Sequence, residues 1–153
     1  MAVAVAAVGQ LELHDVASAR ALIVQGLTER WGSYVPGFNP DLEDFPNAYK
    51  DALVLVAKHG TEVVGTGVLQ PVSPNAANIL RMSVARAFQR QGVGSLILHH
   101  LLYAARERKL HRIDLETTAS WTSAVEFYKR HNFRPTHQCN GDHYFTFDLS
   151  ETP

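Results

Sequence analysis

The residues most able to do chemistry sit in one segment, Ile79-Leu-Arg-Met-Ser-Val-Ala-Arg-Ala-Phe-Gln-Arg-Gln-Gly-Val-Gly-Ser-Leu96. It reads as a strand ending at Val84, a tight polar turn, and a helix opened by Gly92 and Gly94. Glycines leave no side chain in a ligand's way, and the first N–H groups of a helix have no intrahelical acceptor. Those donors and the positive end of the helix dipole suit an anion, here of pyrophosphate size. Glycines also let helices pack closely, so Gly92-x-Gly94 alone leaves both readings open. Two rival phosphate motifs are excluded. There is no Gly-Lys-Ser/Thr of a P-loop, and the third glycine and later ribose-binding acid of a dinucleotide site are missing.

Other constellations carry less. His131, His137, Cys139 and His143 match no zinc-finger spacing, so no metal is expected. His99-His100 suits a helix surface, and Arg106, Arg108, Lys109 and Arg112 suit a solvated face. The formal charge of −1 offers no basic field for nucleic acid. One cysteine excludes an internal disulfide framework and agrees with a reducing, cytoplasmic setting. The apolar start, Met1 to Val8, is far shorter than the ~20 residues of a membrane span and reads as a frayed or strand-forming terminus.

Elements that could position the glycine segment follow from periodicity. At 153 residues, with 46% hydrophobic and 19% charged residues, the chain suits one domain over 1–153. Gln10 to His14 alternates like a short strand, and Asp15 stands as N-cap ahead of Val16, Ala19, Ile23 and Leu27 at helical spacing. Trp31 to Asn47, with four of its residues Pro or Gly between Gly32 and Pro40 and a further Pro46, is a loop or broken helix. Leu53 to Ala57 and Val63 to Leu69 flank a His59-Gly60 turn. Then come a strand Asn78 to Val84, a helix Gly92 to Arg108, a strand Ile113 to Thr117, a helix Trp121 to His131 and a strand His143 to Leu149. Hairpins mixed with helical crossovers predict an α/β (α+β) fold with a mixed, mostly antiparallel sheet flanked by helices.

Gln89-x-x-Gly92-x-Gly94 after a strand, followed by Ala124-Val-Glu-Phe-Tyr128-Lys-Arg-His-Asn-Phe133, resembles the two landmarks of the GNAT family of N-acetyltransferases. The resemblance implies transfer of an acetyl group from acetyl-CoA to an amine of a small molecule or peptide, by direct attack in a ternary complex. It places the coenzyme along Met82, Ser83 and Val84 and at Gln89, Arg90, Gln91, Gly92, Val93, Gly94 and Ser95, with Arg90 and Lys129 near the adenosine phosphates. It makes Tyr128 the acid that protonates the departing thiolate; a phenol at ~10 is close enough to a thiol at ~8.5 to share a proton. A tyrosine merely packing on Phe127 and Phe133 is the alternative.

Trp121 stands where many members carry an asparagine that touches the coenzyme, so an indole packing on the pantetheine or roofing the acceptor site replaces that contact. Asn132 replaces a glycine before Phe133, which asparagine's tolerance of positive φ allows. The acceptor pocket falls to Trp31, Tyr34, Asn39, Asp41, Glu43 and Asp44, and to Asn140, Gly141, Asp142 and His143, a set suited to a cationic amine. Glu116, His143 and a chain of water molecules are alternatives for the base. A coenzyme-binding sensor without turnover and a dimerisation unit with a vestigial site are the other classes. A homodimer is compatible with either.

Overall fold

The computed structural model describes residues 7–149, so Met1 to Ala6 of the apolar start lie outside the described residues. The chain runs β1 (Ala7–Gln10), α1 (Val16–Trp31), α2 (Pro40–Glu43), α3 (Phe45–Ala48), β2 (Leu53–His59), β3 (Glu62–Ser73) and β4 (Ala76–Val84). It continues α4 (Val93–Glu107), β5 (Arg112–Thr118), α5 (Thr122–Arg130), β6 (Arg134–Cys139) and β7 (Asp142–Asp148). Among the described residues one sheet forms, in the order β1-β2-β3-β4-β5-β7-β6. Every neighbouring pair is antiparallel except β4 and β5, which α4 joins as a parallel crossover.

Alternation along the strands builds a core on each face. Val64, Leu69, Ile79, Ile113 and Leu115 pack under α4 and α5. Val56, Val63, Val68 and Leu80 pack under Ala19, Leu22, Ile23 and Leu27 of α1, with Leu42 and Phe45 of the short helices alongside. Helix α4 lies very close to β3. A Cβ on Gly65 would come within 2.7 Å of Ile97, and one on Gly67 within 2.7 Å of both Ile97 and the Met82 sulfur.

Three expectations are corrected. The first strand is Ala7–Gln10 and not Gln10 to His14, because Leu13–Asp15 turns as a single 3-10 coil into α1. Asp15 sits at the helix start but makes no capping bond; its buried carboxylate pairs with Lys58 of β2 at 2.8 Å. Strand β6 has no counterpart in the expected order. It is exposed along its whole length and carries Pro135 and polar residues, so it shows no hydrophobic alternation. Its signal lay in Asn140-Gly141, both at positive φ (51° and 85°), a two-residue turn that pairs Cys139 with Asp142. Asn132, at φ 68°, closes α5 as expected of asparagine.

Gly67→Ala is expected to destabilise the fold by about 1–3 kcal/mol, because the new methyl overpacks the α4–β3 seam. Gly9→Ala, whose Cβ would meet nothing within 4 Å, is the control. Urea unfolding of both variants checks the difference, and equal stabilities would show that the seam yields.

Candidate active site

The site begins where the sheet comes apart. Strands β4 and β5 pair only at Ala76–Arg112, Ala77–Ile113 and Asn78–Asp114. Beyond that β5 continues against β7, and among the described residues β4 from Ile79 onward has no partner on that side. A bulge keeps the open stretch in shape. Arg81 takes φ 52°, the register with β3 shifts between Thr66 and Val68, and the Thr66 hydroxyl donates to the Arg81 carbonyl at 2.8 Å. Leu80 and Arg81 consequently both address the α1 side, while Met82 and Val84 return to the core under α4.

Ala85 donates its N–H to Val64 of β3 at 2.8 Å, so by alternation the N–H and C=O of Val84 face the gap. The Val84 carbonyl already accepts from Gln89 Nε2 at 3.1 Å. Ser83 is paired with Thr66 on β3, and its hydroxyl lies toward Gly26 of α1.

The same edge leads to the start of α4. Arg90 and Gly92 both adopt positive φ, 61° and 87°, turning the chain so that Gly92 caps the helix. The first helical bond is Leu96 N–H to the Gly92 carbonyl at 3.0 Å, which leaves the N–H groups of Val93, Gly94 and Ser95 without intrahelical acceptors. The two glycines divide the two readings between them. A Cβ on Gly92 would meet nothing within 4 Å, so space is open there, whereas one on Gly94 would sit 3.4 Å from the Phe127 ring. Gly92 shapes a cradle and Gly94 allows α5 to pack.

The Ser95 hydroxyl lies 2.9 Å from His131 Nε2, and His131 Nδ1 lies 2.8 Å from the Phe127 carbonyl. A carbonyl only accepts, so Nδ1 carries the proton; in the neutral ring Nε2 then accepts from Ser95. Gln91 donates to the Ala87 carbonyl at 3.1 Å and leaves its buried Oε1 unpartnered among the described residues.

Tyr128 projects from α5 into the core with Phe127, Phe133 and Phe145 around it, at ring-centre distances of 5.2, 5.7 and 6.2 Å. Burial pushes its phenol far above the ordinary value, and the positive charge of Arg30 partly offsets this. Arg30 lies in the last turn of α1, which packs on the opposite face of the sheet. The Arg30 guanidinium lies over the Trp121 ring, 4.7 Å from its centre, and Trp31 packs on the other indole at 5.6 Å. Burial lowers the arginine's pKa without discharging it. Arg30 was not among the expected site residues, since an arginine in the last turn of a helix reads as an ordinary partner of the helix dipole.

The acidic loop is occupied otherwise. Asp41 receives Arg81 Nε at 2.9 Å and Nη2 at 2.7 Å, and the Tyr49 hydroxyl at 2.5 Å. Arg81 also donates to the Asn39 side-chain oxygen at 3.2 Å. Burial works against the Asp41 carboxylate, but these bonds outweigh it and hold its pKa below the usual value. Burial and the same carboxylate push the Tyr49 phenol up to about 12. Glu43 accepts from Tyr34 and from Arg20, the latter at 3.0 Å. Asp44 is exposed. On β7, His143 pairs with Thr117 and is separated from Tyr128 by Phe145. The Glu116 carboxylate beside the Tyr144 hydroxyl lifts its pKa to about 12. His137 stacks on Tyr144 at 4.4 Å, Cys139 is exposed, and His131 is engaged with Ser95.

Asp41→Asn is expected to lower stability by about 2 kcal/mol, or roughly 4–8 °C in melting temperature, because Arg81 is left half-buried without its counter-charge. A carboxylate held below its unfolded pKa stabilises above that value and ceases to do so as pH falls through the folded value. The gap between wild type and variant should therefore be full at pH 7 and close below about pH 4. Melting curves across that range check it, and a pH-independent difference would assign the loss to packing.

Residues 23–133 match the model of the acetyltransferase (GNAT) family. The chain is 37% identical over 76 residues to an uncharacterized N-acetyltransferase, YedL, of Escherichia coli K12, a match spanning 48% of each protein. The fold superposes on an acetyltransferase of the GNAT family from Staphylococcus aureus Mu50 with a TM-score of 0.84 at 17% identity, covering 94% of this chain and 98% of that one. It superposes on the PaiA N-acetyltransferase of Thermoplasma acidophilum, solved in complex with coenzyme A, with a TM-score of 0.80 at 13% identity over 94% and 98% of the two chains. With a sheet opened beside a glycine-capped helix and a family match over most of its length, this chain belongs to the GNAT family of acetyltransferases.

Proposed function

We propose that the protein is a single N-acetyltransferase domain, working in the cytoplasm, that transfers an acetyl group from acetyl-CoA to the amine of a small molecule or peptide by direct attack in a ternary complex. The observation that supports this reading is the unpaired β4 edge leading into the amide-lined start of α4, against which the helix bearing Tyr128 packs. The gap-facing backbone at Met82 and Val84 takes the pantetheine as an added strand would. The N–H groups from Gln91 to Ser95 receive the pyrophosphate, where Gly92 leaves room. Among structures of the same fold, one from Elizabethkingia anophelis holds acetyl-CoA, which supports that choice of donor.

A bound thioester supplies an acyl carbon open to attack by an uncharged amine. The chain's part is to hold donor and acceptor together in the opening and to return a proton to the departing sulfur. Tyr128 is suited to that task. Its raised pKa keeps the phenol protonated at neutral pH, and the same dry surroundings raise a thiol's pKa alongside it.

Gly92→Val should abolish the stabilisation by acetyl-CoA, which for a ligand at 100 times its dissociation constant is ~2.7 kcal/mol. The branched side chain would fill the open space at φ 87°. A folded variant that is still stabilised to the same extent would remove the cradle. Tyr128→Phe keeps the ring and deletes the hydroxyl, so coenzyme affinity should hold while turnover falls by about 10²–10⁴. Thiol release with a panel of amines, beside calorimetric titration of acetyl-CoA, is the measurement. Binding without turnover of any amine in the wild type would mark a coenzyme sensor instead.

A further inference from the structure

The acidic residues between Trp31 and Tyr49 make a cationic acceptor the natural expectation, but the charges in place argue otherwise. Asp41 is consumed by Arg81 and Tyr49, and Glu43 by Arg20 and Tyr34. Lys58 is matched to Asp15 and Arg112 to Asp114. Among the described residues Arg30 has no carboxylate within ion-pair distance, its sequence neighbour Glu29 included. Its guanidinium is nevertheless held, over the Trp121 ring, instead of trailing into solvent. Trp121 starts the helix that carries Tyr128, and Trp31, half exposed, covers its other side. The α1 side of the opening therefore presents a planar positive charge laid over the Trp121 ring.

Taking the opening as the acyl-transfer site, we propose that Arg30 is a specificity residue that binds a carboxylate on the acceptor. The amine acetylated then belongs to a molecule that also carries a carboxylate, of the amino-acid class. A guanidinium offers two parallel N–H donors that match the two oxygens of a carboxylate, and an indole behind it fixes the direction of the fork. The remaining face of Trp31 gives the body of such a molecule an apolar surface. Held by its carboxylate at Arg30, the acceptor presents its amine toward the acyl carbon near Tyr128.

The test uses the twenty standard amino acids, their α-amides and the corresponding decarboxylated amines as acceptors, with acetyl-CoA and thiol detection. Free acids should be preferred over amides and bare amines by about 10–100-fold in kcat/KM, the worth of a charge-assisted bidentate bond. Arg30→Gln should erase that preference by raising KM for the acids, leave their kcat and the acetyl-CoA affinity near wild type, and barely change the amides. Arg30→Lys should restore part of it. Amides or bare amines turned over as well as the acids by the wild type would overturn the proposal and leave the acetyltransferase intact. If no amine is acetylated, the acyl-transfer reading itself fails. Calorimetry of the acids and amides against the CoA-loaded protein then decides for Arg30, and equal binding, or binding unaltered by Arg30→Gln, overturns it.

Discussion

The parting of β4 from β5 after three residue pairs is the constraint from which the rest of the site follows. A parallel pair normally zips along its length, because each unpaired N–H and C=O forfeits a hydrogen bond. Here β5 keeps β7 on its other edge along all of Arg112 to Thr118, while β4 is bent away by the bulge at Arg81. The left-handed backbone there is costly for a residue with a side chain. Thr66 holding the Arg81 carbonyl and Asp41 gripping its guanidinium offset that cost. A half-buried ion pair in the acidic loop thus serves the geometry of a strand edge some distance away in sequence.

Because the sheet is open at this point, its two faces are not insulated from each other. Helix α1 stands on one side and α5 on the other, each with its own core, yet Trp121 at the start of α5 lies under the Arg30 guanidinium of α1. Tyr128, further along α5, is buried in the core on the α4 side. The phenol is kept protonated by burial, and the guanidinium tempers that effect without removing it. Trp121 holds the arginine there beneath its guanidinium, and Trp31 packs against Trp121.

Much of this was legible from residue types. Periodicity located α1, α4 and α5 to within a residue or two, and five of the seven described strands, because their apolar faces are buried. Strand β6 escaped, since an edge strand without a buried face leaves no alternation to find, and only its Asn140-Gly141 turn marked it. At Asp15 the residue type suggested a helix cap, but Lys58, distant in sequence, claimed the carboxylate.

What the sequence by itself determined was the local chemistry. Gly92 permits a left-handed turn, Asn132 tolerates one, an opening helix turn bears free amides, and Tyr128 lies on a helix face among aromatics; each follows from a residue and its near neighbours. Only the tertiary structure decided how charge is distributed around the site. Whether a carboxylate is available to a ligand depends on which distant cation reaches it, and Arg81 and Arg20 reach Asp41 and Glu43 from about 40 and 23 positions away. Ion pairs follow distance in space, while periodicity reads distance along the chain. For that reason the loop whose composition suggested negative charge is largely matched, and the unmatched charge at the opening is Arg30.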